Sequence, residues 1–334
     1  MQSDISEAAT SDKESATRPV IVIGGPTASG KSALAMRVAQ AFSGTVINAD
    51  SMQVYGELPI LTAQPDAADL AAAPHRLYGF LRLDETCSAA RWAELALAEI
   101  RAAQAQGRLP ILVGGTGLYL RSLMQGLSPI PDISPAYREA AMKLLDELGI
   151  VGLHGHLAAE DPVMGQRLHP NDTQRVVRAW EVLQGTGQSL AAWQQLPPVP
   201  PEGLRFQCWV VLPPRDLLYA ACDRRFGAMM ARGALTEVAD ALTAYGQTIL
   251  SAPGAKSLGF RELAAVVQGR QEAETAIAAA QQATRNYAKR QTTWFRHQMD
   301  FGNFISQNDS LMKFSESSFQ KIFRNIRDFI LTPA

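Results

Sequence analysis

The sequence predicts an α/β fold in which helices flank a parallel sheet, and three observations support that prediction. Strand-like and helix-like patterns alternate through about residue 127, as they do in parallel sheets. The chain then carries only helical patterns to about Gln195. The run GPTASGKS from Gly25 to Ser32 matches the phosphate-loop pattern G-x-x-x-x-G-K-[ST] in full. We therefore expect a P-loop NTPase-like parallel sheet core with a helical insertion domain.

The phosphate loop has the sequence context that its function requires. A β-branched run from Val20 to Ile23 predicts a buried strand before it, and a helix-forming run from Ala33 to Phe42 follows it. Glycines let backbone N–H groups point inward, and the helix start adds partial positive charge. In this pattern Lys31 reaches terminal phosphates and the Ser32 hydroxyl ligates Mg²⁺, but the phosphorylated compound stays open. The predicted phosphate-binding residues are Gly25, Pro26, Thr27, Ala28, Ser29, Gly30, Lys31 and Ser32.

The next elements place two more polar side chains at strand ends. Thr45 to Ala49 is predicted to form a second strand that ends at Asp50. An Ala-rich helix follows from Ala89 to Gln106, and a strand from Leu109 to Val113 leads into a Gly-Gly-Thr turn at Thr116. Ligands of open α/β sheets bind at the carboxyl ends of the strands. Asp50 and Thr116 should therefore converge on the compound that the phosphate loop holds.

Proline-containing stretches at 127–135 and 196–203 bound the helical part of the chain. Its clearest helix should begin at Asn171 or Asp172 and stop near Gly185, which places Arg175 and Arg178 one turn apart on one face. A strand from Arg205 to Leu212 and helical patterns at 217–244 and 272–299 follow. We expect a disordered tail at 1–17, the two parts of the core at 18–130 and 201–300, a helical insertion at 131–200 and a C-terminal tail at 301–334.

Composition limits the class of protein. A chain of 334 residues with 47% hydrophobic and 19% charged residues can bury a large core and should form two lobes. A net charge of -1 provides no global basic field for nucleic acid, so any such surface must be local. Three widely spaced cysteines argue against a disulfide framework. Without a secretion signal or a long apolar run, the cytoplasm is the expected location.

Six blocks of sequence occur in an order that resembles the tRNA dimethylallyltransferase family. They are GPTASGKS, NADSMQVY (48–55), PHRL (74–77), VGGTGLYL (113–120), HPNDTQRVVRAWEV (169–182) and TRNYAKRQTTWFR (284–296). Many ATPases and kinases share a phosphate loop, whereas D-S-x-Q-V-Y, G-G-T and A-K-R-Q-x-T-W together are close to diagnostic. The resemblance implies transfer of a dimethylallyl group from its diphosphate to N6 of adenosine 37 in tRNAs that read codons beginning with U.

The resemblance implies roles for four side chains in the transfer. Asp50 resembles the base that takes the N6 proton, and Thr116 resembles the donor to the bridging oxygen of the diphosphate. Lys31 would pair with the diphosphate oxygens. Arg225 looks like the arginine that reaches the diphosphate from the second half of the chain, and its neighbour Arg224 is a competitor. The implied cofactor is Mg²⁺, and the prenyl donor is dimethylallyl diphosphate.

The resemblance also implies contacts with the anticodon loop of tRNA, from which adenine 37 must be extruded. Gln53 is suited to reading a base edge, and the cations among the implied residues form a local basic track. Taken alone, the cluster from Arg285 to Arg296 also fits a solvated helix face. The implied tRNA-binding residues are Asp50, Ser51, Met52, Gln53, Thr116, Arg138, Gln174, Arg175, Val176, Val177, Arg178, Lys256, Arg261, Arg285, Lys289 and Arg290.

One segment departs from the family pattern. The family has G-T-A-K-P where this chain reads LTAQP from Leu61 to Pro65, so a glycine and a cation are missing. We therefore place no catalytic role on Gln64, although its amide can still hydrogen-bond phosphate or ribose.

Two other functions stay open at the level of sequence. An enzyme of the same chemistry could prenylate free AMP or ADP, although a mononucleotide acceptor gives no reason for an extended basic track. The phosphate loop alone favours a kinase or a nucleotide-driven binding module. The chain offers no obvious lid arginines for transfer of a γ-phosphate, however, and no protein partner is evident.

Overall fold

The computed structural model describes residues 17–299, 303–305 and 316–332, and its centre is a parallel sheet. The order of the strands is β3-β2-β4-β1-β5-β6, and every pairing is parallel. Parallel pairing brings the carboxyl ends of the strands to one edge. The strands are β1 (Arg18–Gly24), β2 (Gly44–Asn48), β3 (His75–Arg76), β4 (Leu109–Gly114), β5 (Leu204–Val211) and β6 (Asn303–Ile305).

Helices connect and cover these strands. The described helices are α1 (Lys31–Ala41), α2 (Ala67–Ala72), α3 (Ala89–Ala105), α4 (Gly117–Gln125), α5 (Pro135–Glu160), α6 (Pro162–Arg167), α7 (Thr173–Thr186), α8 (Leu190–Trp193), α9 (Arg215–Ala231), α10 (Ala234–Tyr245), α11 (Phe260–Val267), α12 (Ala273–Gln298) and α13 (Glu316–Leu331). Two short 3₁₀ segments, Gly246–Ser251 and Pro253–Lys256, join α10 to α11. Within the described ranges, none of these helices has the length and apolar character needed to cross a membrane.

The sheet buries both of its faces, because successive residues of a strand point to opposite sides. Val20 and Val22 of β1 pack on one side against α3, α4 and the end of α12. Ile21 and Ile23 pack on the other side against α1 and α13. Since each side of β1 meets helices, the strand has the continuous apolar sequence of a buried parallel strand.

The C-terminal region corrects one prediction. Residues 301–334 are predicted to be a tail, yet β6 pairs with β5 and α13 packs on the sheet. Phe319, Ile322 and Ile326 of α13 are buried, and their spacing forms one apolar helical stripe. Arg37 of α1 lies over the Phe319 ring at 3.4 Å. The predicted N-terminal tail lies outside the described residues except for Thr17.

Residues 125–201 form a compact unit of their own, and the rest of the chain forms a second, larger unit. The smaller unit contains α5 to α8 around its own core, with Leu153, Leu157 and Val176 fully buried. Asp172 caps the N-terminus of α7, where its side chain accepts a hydrogen bond from the Arg175 backbone N–H. Apolar residues at helical spacing thus give this unit an independent core.

Candidate active site

The phosphate loop curls between β1 and α1 at the carboxyl edge of the sheet. Gly25 has a φ of 150°, and a Cβ there would lie 2.6 Å from the Val211 carbonyl oxygen, so only glycine fits. Ser29 is fully buried, and its hydroxyl has no hydrogen-bond partner among the described residues. The first N–H groups of α1 also lack intrahelical acceptors, as at any helix start. The loop therefore presents unsatisfied donors to an anion.

Lys31 and Arg225 are two cations at this loop. Lys31 is 8% exposed and its Nζ donates to the Pro26 carbonyl at 3.3 Å. Burial lowers the pKa of Lys31 to about 8, and the nearby Asp50 carboxylate opposes that shift. Burial also lowers the pKa of Arg225, whose guanidinium donates to the Thr27 hydroxyl. Two desolvated cations create a strong local attraction for an anion.

The structure also distinguishes the two neighbouring arginines of α9. Arg225 is partly buried and faces the phosphate loop through Thr27. Arg224 is exposed. Consecutive residues of a helix point about 100° apart, so only one of the two can face the loop.

Asp50 and Thr116 meet at the ends of β2 and β4. The Asn48 side chain fixes the Asp50 backbone, since its Oδ1 accepts from the Asp50 N–H at 2.8 Å and its Nδ2 donates to the Asp50 carbonyl at 3.0 Å. One Asp50 carboxylate oxygen accepts from the Met52 N–H at 3.0 Å. The Thr116 hydroxyl accepts from the Ser51 N–H at 2.9 Å. These bonds join the two strand ends and hold both side chains in place.

A cleft opens between these polar groups and an apolar wall. It is lined on its polar side by Thr27, Asp50 and Arg225. Tyr287 of α12 also lines it; burial raises the pKa of this phenol and the Asp50 carboxylate adds to the effect. The apolar lining is formed by Leu61, Phe226, Met229 and Leu258. The cleft therefore suits a ligand with an anionic end and a short apolar end.

Gln291 of α12 is the glutamine of the A-K-R-Q-x-T-W block, and its contact with the phosphate loop was not predicted from the sequence. Its side chain is 5% exposed and bridges two loops. Its Oε1 accepts from the Thr27 N–H and its Nε2 donates to the Gly115 carbonyl, both at 2.8 Å. A Cβ at Gly115 would lie 2.2 Å from Nε2, which explains this glycine. The sequence signal for this role is a polar glutamine at a helical position whose spacing matches the buried residues of α12.

Two glutamines in the segment after β2 brace their own loop. Gln53 donates from Nε2 to the carbonyls of Thr62 and Ala63 at 2.9 and 2.7 Å. Gln64 donates to the Tyr55 carbonyl at 2.7 Å. The Gln53 amide hydrogens are therefore already bonded, so reading a base edge through them requires the loop to rearrange.

The cations predicted to bind tRNA are exposed to different degrees in the larger unit. Lys289 and Arg290 are exposed and line a shallow groove on α12. Arg285 is less available, because it binds Asp223 at 2.6 Å. Lys256 and Arg261 are exposed near α11.

Two predicted tRNA-binding residues of the smaller unit are corrected. Val176 and Val177 are 0% and 3% exposed and belong to the core of that unit, so their side chains do not reach a ligand. They fall on the inner face of α7, since helical periodicity turns every third or fourth residue inward. Gln174, Arg175, Arg178 and Arg138 are exposed.

The sequence of the chain matches a known family across most of its length. The model of the IPP transferase family aligns with residues 53–298. The chain belongs to the IPP transferase family. Among curated relatives, the tRNA dimethylallyltransferase of Rhodospirillum centenum is 55% identical over 306 residues, which cover 90% of this chain and 96% of that protein. The tRNA dimethylallyltransferase of Paramagnetospirillum magneticum is 52% identical and covers 95% of this chain and 99% of its own.

Solved structures of the IPP transferase family share the fold. A crystal structure of a eukaryotic dimethylallyltransferase acting on tRNA has a TM-score of 0.80 at 26% identity, and the match covers 94% of this chain and 80% of that one. The tRNA isopentenylpyrophosphate transferase of Bacillus halodurans has a TM-score of 0.67 at 29% identity, covering 94% and 97%.

Proposed function

We propose that this IPP transferase family member transfers a dimethylallyl group from dimethylallyl diphosphate to N6 of adenosine 37 in tRNAs reading codons that begin with U. The products are N6-(dimethylallyl)adenosine and diphosphate. One observation carries the proposal: a single cleft combines the Asp50 carboxylate, the partly buried Arg225 and an apolar wall, and the buried Lys31 lies in the adjoining phosphate loop. These are the groups needed to take a proton, stabilise a departing diphosphate and hold a prenyl chain.

The leaving group determines much of the barrier. As the bond from the prenyl carbon to oxygen breaks, negative charge develops on the diphosphate. Lys31, Arg225 and the N–H groups of the phosphate loop would stabilise that charge; in support, both cations hydrogen-bond residues of the loop. The Thr116 hydroxyl, fixed by the Ser51 N–H, would donate to the bridging oxygen.

Asp50 completes the transfer on the acceptor side. The exocyclic amine gains a bond to carbon and must lose a proton. A carboxylate placed at N6 accepts that proton as the bond forms. The hydrogen bonds between the Asn48 side chain and the Asp50 backbone hold Asp50 at the strand end, so little reorganisation is needed at the moment of reaction.

The residues present fit a magnesium ion shared with the donor. No group of three or more His, Cys, Asp or Glu side chains suited to a metal occurs in the described part of the chain. Mg²⁺ is usually held by one or two protein oxygens together with substrate phosphates. Ser32, exposed in the first turn of α1, would supply such an oxygen. A bound Mg²⁺ neutralises part of the diphosphate charge.

The direct test uses labelled dimethylallyl diphosphate with Mg²⁺ and bulk unmodified tRNA. We expect label in the tRNA, at adenosine 37, and no hydrolysis when ATP is supplied instead. Free AMP and ADP serve as competing acceptors. Stoichiometric ATP turnover without prenyl transfer, or labelling of AMP in preference to tRNA, would contradict the proposal.

The exposed α12 cations provide a second test. Replacing Lys289 and Arg290 with alanine should weaken tRNA binding and flatten its log–log salt dependence by up to about two units, roughly 0.7 to 0.9 per lost phosphate contact. Donor binding should barely change. Filter-binding titrations at several salt concentrations measure the slope.

The matched control for that charge change is Lys321→Ala with Arg324→Ala, which removes two exposed cations from α13. This pair should leave the slope near the wild-type value. An unchanged slope in the α12 double variant would mean that Lys289 and Arg290 form a solvated face.

A further inference from the structure

Two exposed arginines from different helices of the smaller unit share one buried carboxylate. Arg138 of α5 donates from Nη1 to Glu181 Oε1 at 3.0 Å, and Arg178 of α7 donates from Nη1 to Glu181 Oε2 at 3.3 Å. The arginine side chains are 64% and 44% exposed, whereas the Glu181 side chain is 4% exposed. Each carboxylate oxygen thus fixes one guanidinium.

This arrangement is distinctive among the ion pairs of the described residues. Among these ion pairs, Glu181 is the carboxylate that binds two arginines. The neighbouring Arg175 pairs instead with Asp172, three residues away on the same helix. Such an exposed local pair contributes little to orientation. The Glu181 carboxylate, by contrast, is buried, so losing an arginine partner would leave a poorly compensated buried charge. This cost keeps both arginines bound to it.

The other guanidinium N–H groups of Arg138 and Arg178 stay available for a ligand. A guanidinium has five N–H donors in a planar fork, and the bonds to Glu181 use one from each arginine. Two arginines and one carboxylate leave a net charge of +1 at the surface. An arginine fork matches the geometry of a phosphate oxygen pair. The cluster therefore offers several outward donors with their side chains already ordered.

We propose that Glu181 is a positioning residue that holds Arg138 and Arg178 as one clamp for a single phosphate of an RNA ligand. This inference rests on the proposed function, in which tRNA is the acceptor. Glu181 acts through the arginines and does not touch the RNA. Ordering a long side chain on binding costs affinity, and prior fixation removes that cost.

The sign of one mutational effect tests the proposal. Glu181→Gln keeps the shape of the side chain but removes the charge that holds both arginines. If Glu181 positions them, tRNA binding should weaken by about tenfold, because two rotamer-rich side chains must then be ordered on binding. If the carboxylate only neutralises nearby positive charge, its removal should strengthen binding and steepen the salt dependence. Unchanged or tighter binding overturns the proposal.

The experiment measures tRNA affinity across salt, single-turnover rate at saturating tRNA and thermal unfolding for each variant. Glu147→Gln is the matched control, since it removes an exposed carboxylate of α5 whose ion-pair partner among the described residues is Lys143. We expect Glu181→Gln to change the tRNA dissociation constant with little change in the saturated rate. Failure of the wild-type protein to bind tRNA contradicts the proposed function, whereas wild-type binding with an unaffected Glu181→Gln variant contradicts this inference alone.

A second measurement does not depend on the folding of the Glu181 variant. Arg138→Ala, Arg178→Ala and the double variant are titrated with tRNA across salt. One shared phosphate predicts that the double variant loses about 0.7 from the log–log slope, the value for one contact to a single strand. A loss of about 1.4 would show that the arginines bind separate phosphates and would overturn the clamp.

Discussion

Replacing Asp50 with asparagine should lower the rate of prenyl transfer by about 10²- to 10⁴-fold while leaving tRNA affinity nearly unchanged. Asparagine has almost the same shape, and its amide oxygen can still accept from the Met52 N–H as Asp50 does. It cannot take the proton from N6. A base is used in the transition state and not for docking, so the loss should appear in the rate.

Single-turnover transfer at saturating donor and tRNA measures that rate. Asp240→Asn, an exposed carboxylate of α10, is the matched control and should behave like wild type. Thr116→Ala should also lower the rate, by about 10²- to 10³-fold, because it removes a donor to the leaving group. Wild-type rates in both the Asp50 and Thr116 variants would show that the assigned site is wrong.

Replacing Lys31 with methionine should lower transfer by about 10²- to 10³-fold, the cost of removing one preorganised donor from developing charge. Lys31 is buried beside the phosphate loop, so water cannot replace its charge. The side chain is also unusual in that burial lowers its pKa to about 8. It is protonated below that pH and loses its charge as the pH rises through it.

Donor binding in the absence of tRNA should therefore depend on pH. Above about pH 8, the affinity for dimethylallyl diphosphate should fall as Lys31 deprotonates. Lys31→Arg should abolish this fall, because a guanidinium stays charged throughout the range. Calorimetric titration between about pH 7 and 9.5 measures the effect. A wild-type profile that matches the arginine variant would exclude Lys31 as the titrating group.

Much of the sheet and of the phosphate site could be predicted because the signals are local. The run Val20 to Ile23 has the apolar character of a buried strand, and it lies within β1. The predicted helix from Ala89 to Gln106 matches α3 to within one residue. Asp50 and Thr116 both follow predicted strands, so the rule for parallel sheets places them at one edge.

The shortest strands and the last helix were not predicted, for two different reasons. β3 has two residues and β6 has three, too few to show a period of two. α13 has a clear apolar stripe at Phe319, Ile322 and Ile326, but it lies in the region interpreted as a tail. Its role depends on α1 and the sheet surface that it covers.

The amino-acid sequence by itself determined the phosphate loop, the order of the main strands and helices, and the presence of Asp50 and Thr116 at strand ends. These features follow from local spacing and from the dihedral freedom of glycine. Only the tertiary structure decided that Gln291 bridges the Thr27 and Gly115 backbones, that Gln53 braces its own loop and that Glu181 joins two arginines. Gln291 lies 264 and 176 residues from Thr27 and Gly115 in the chain, and Arg138 lies 43 residues from Glu181. Such distant contacts leave no periodic signal, because the partners meet only after packing has brought their elements together. The bonds of Gln53 depend on the path of an irregular loop, which has no period either.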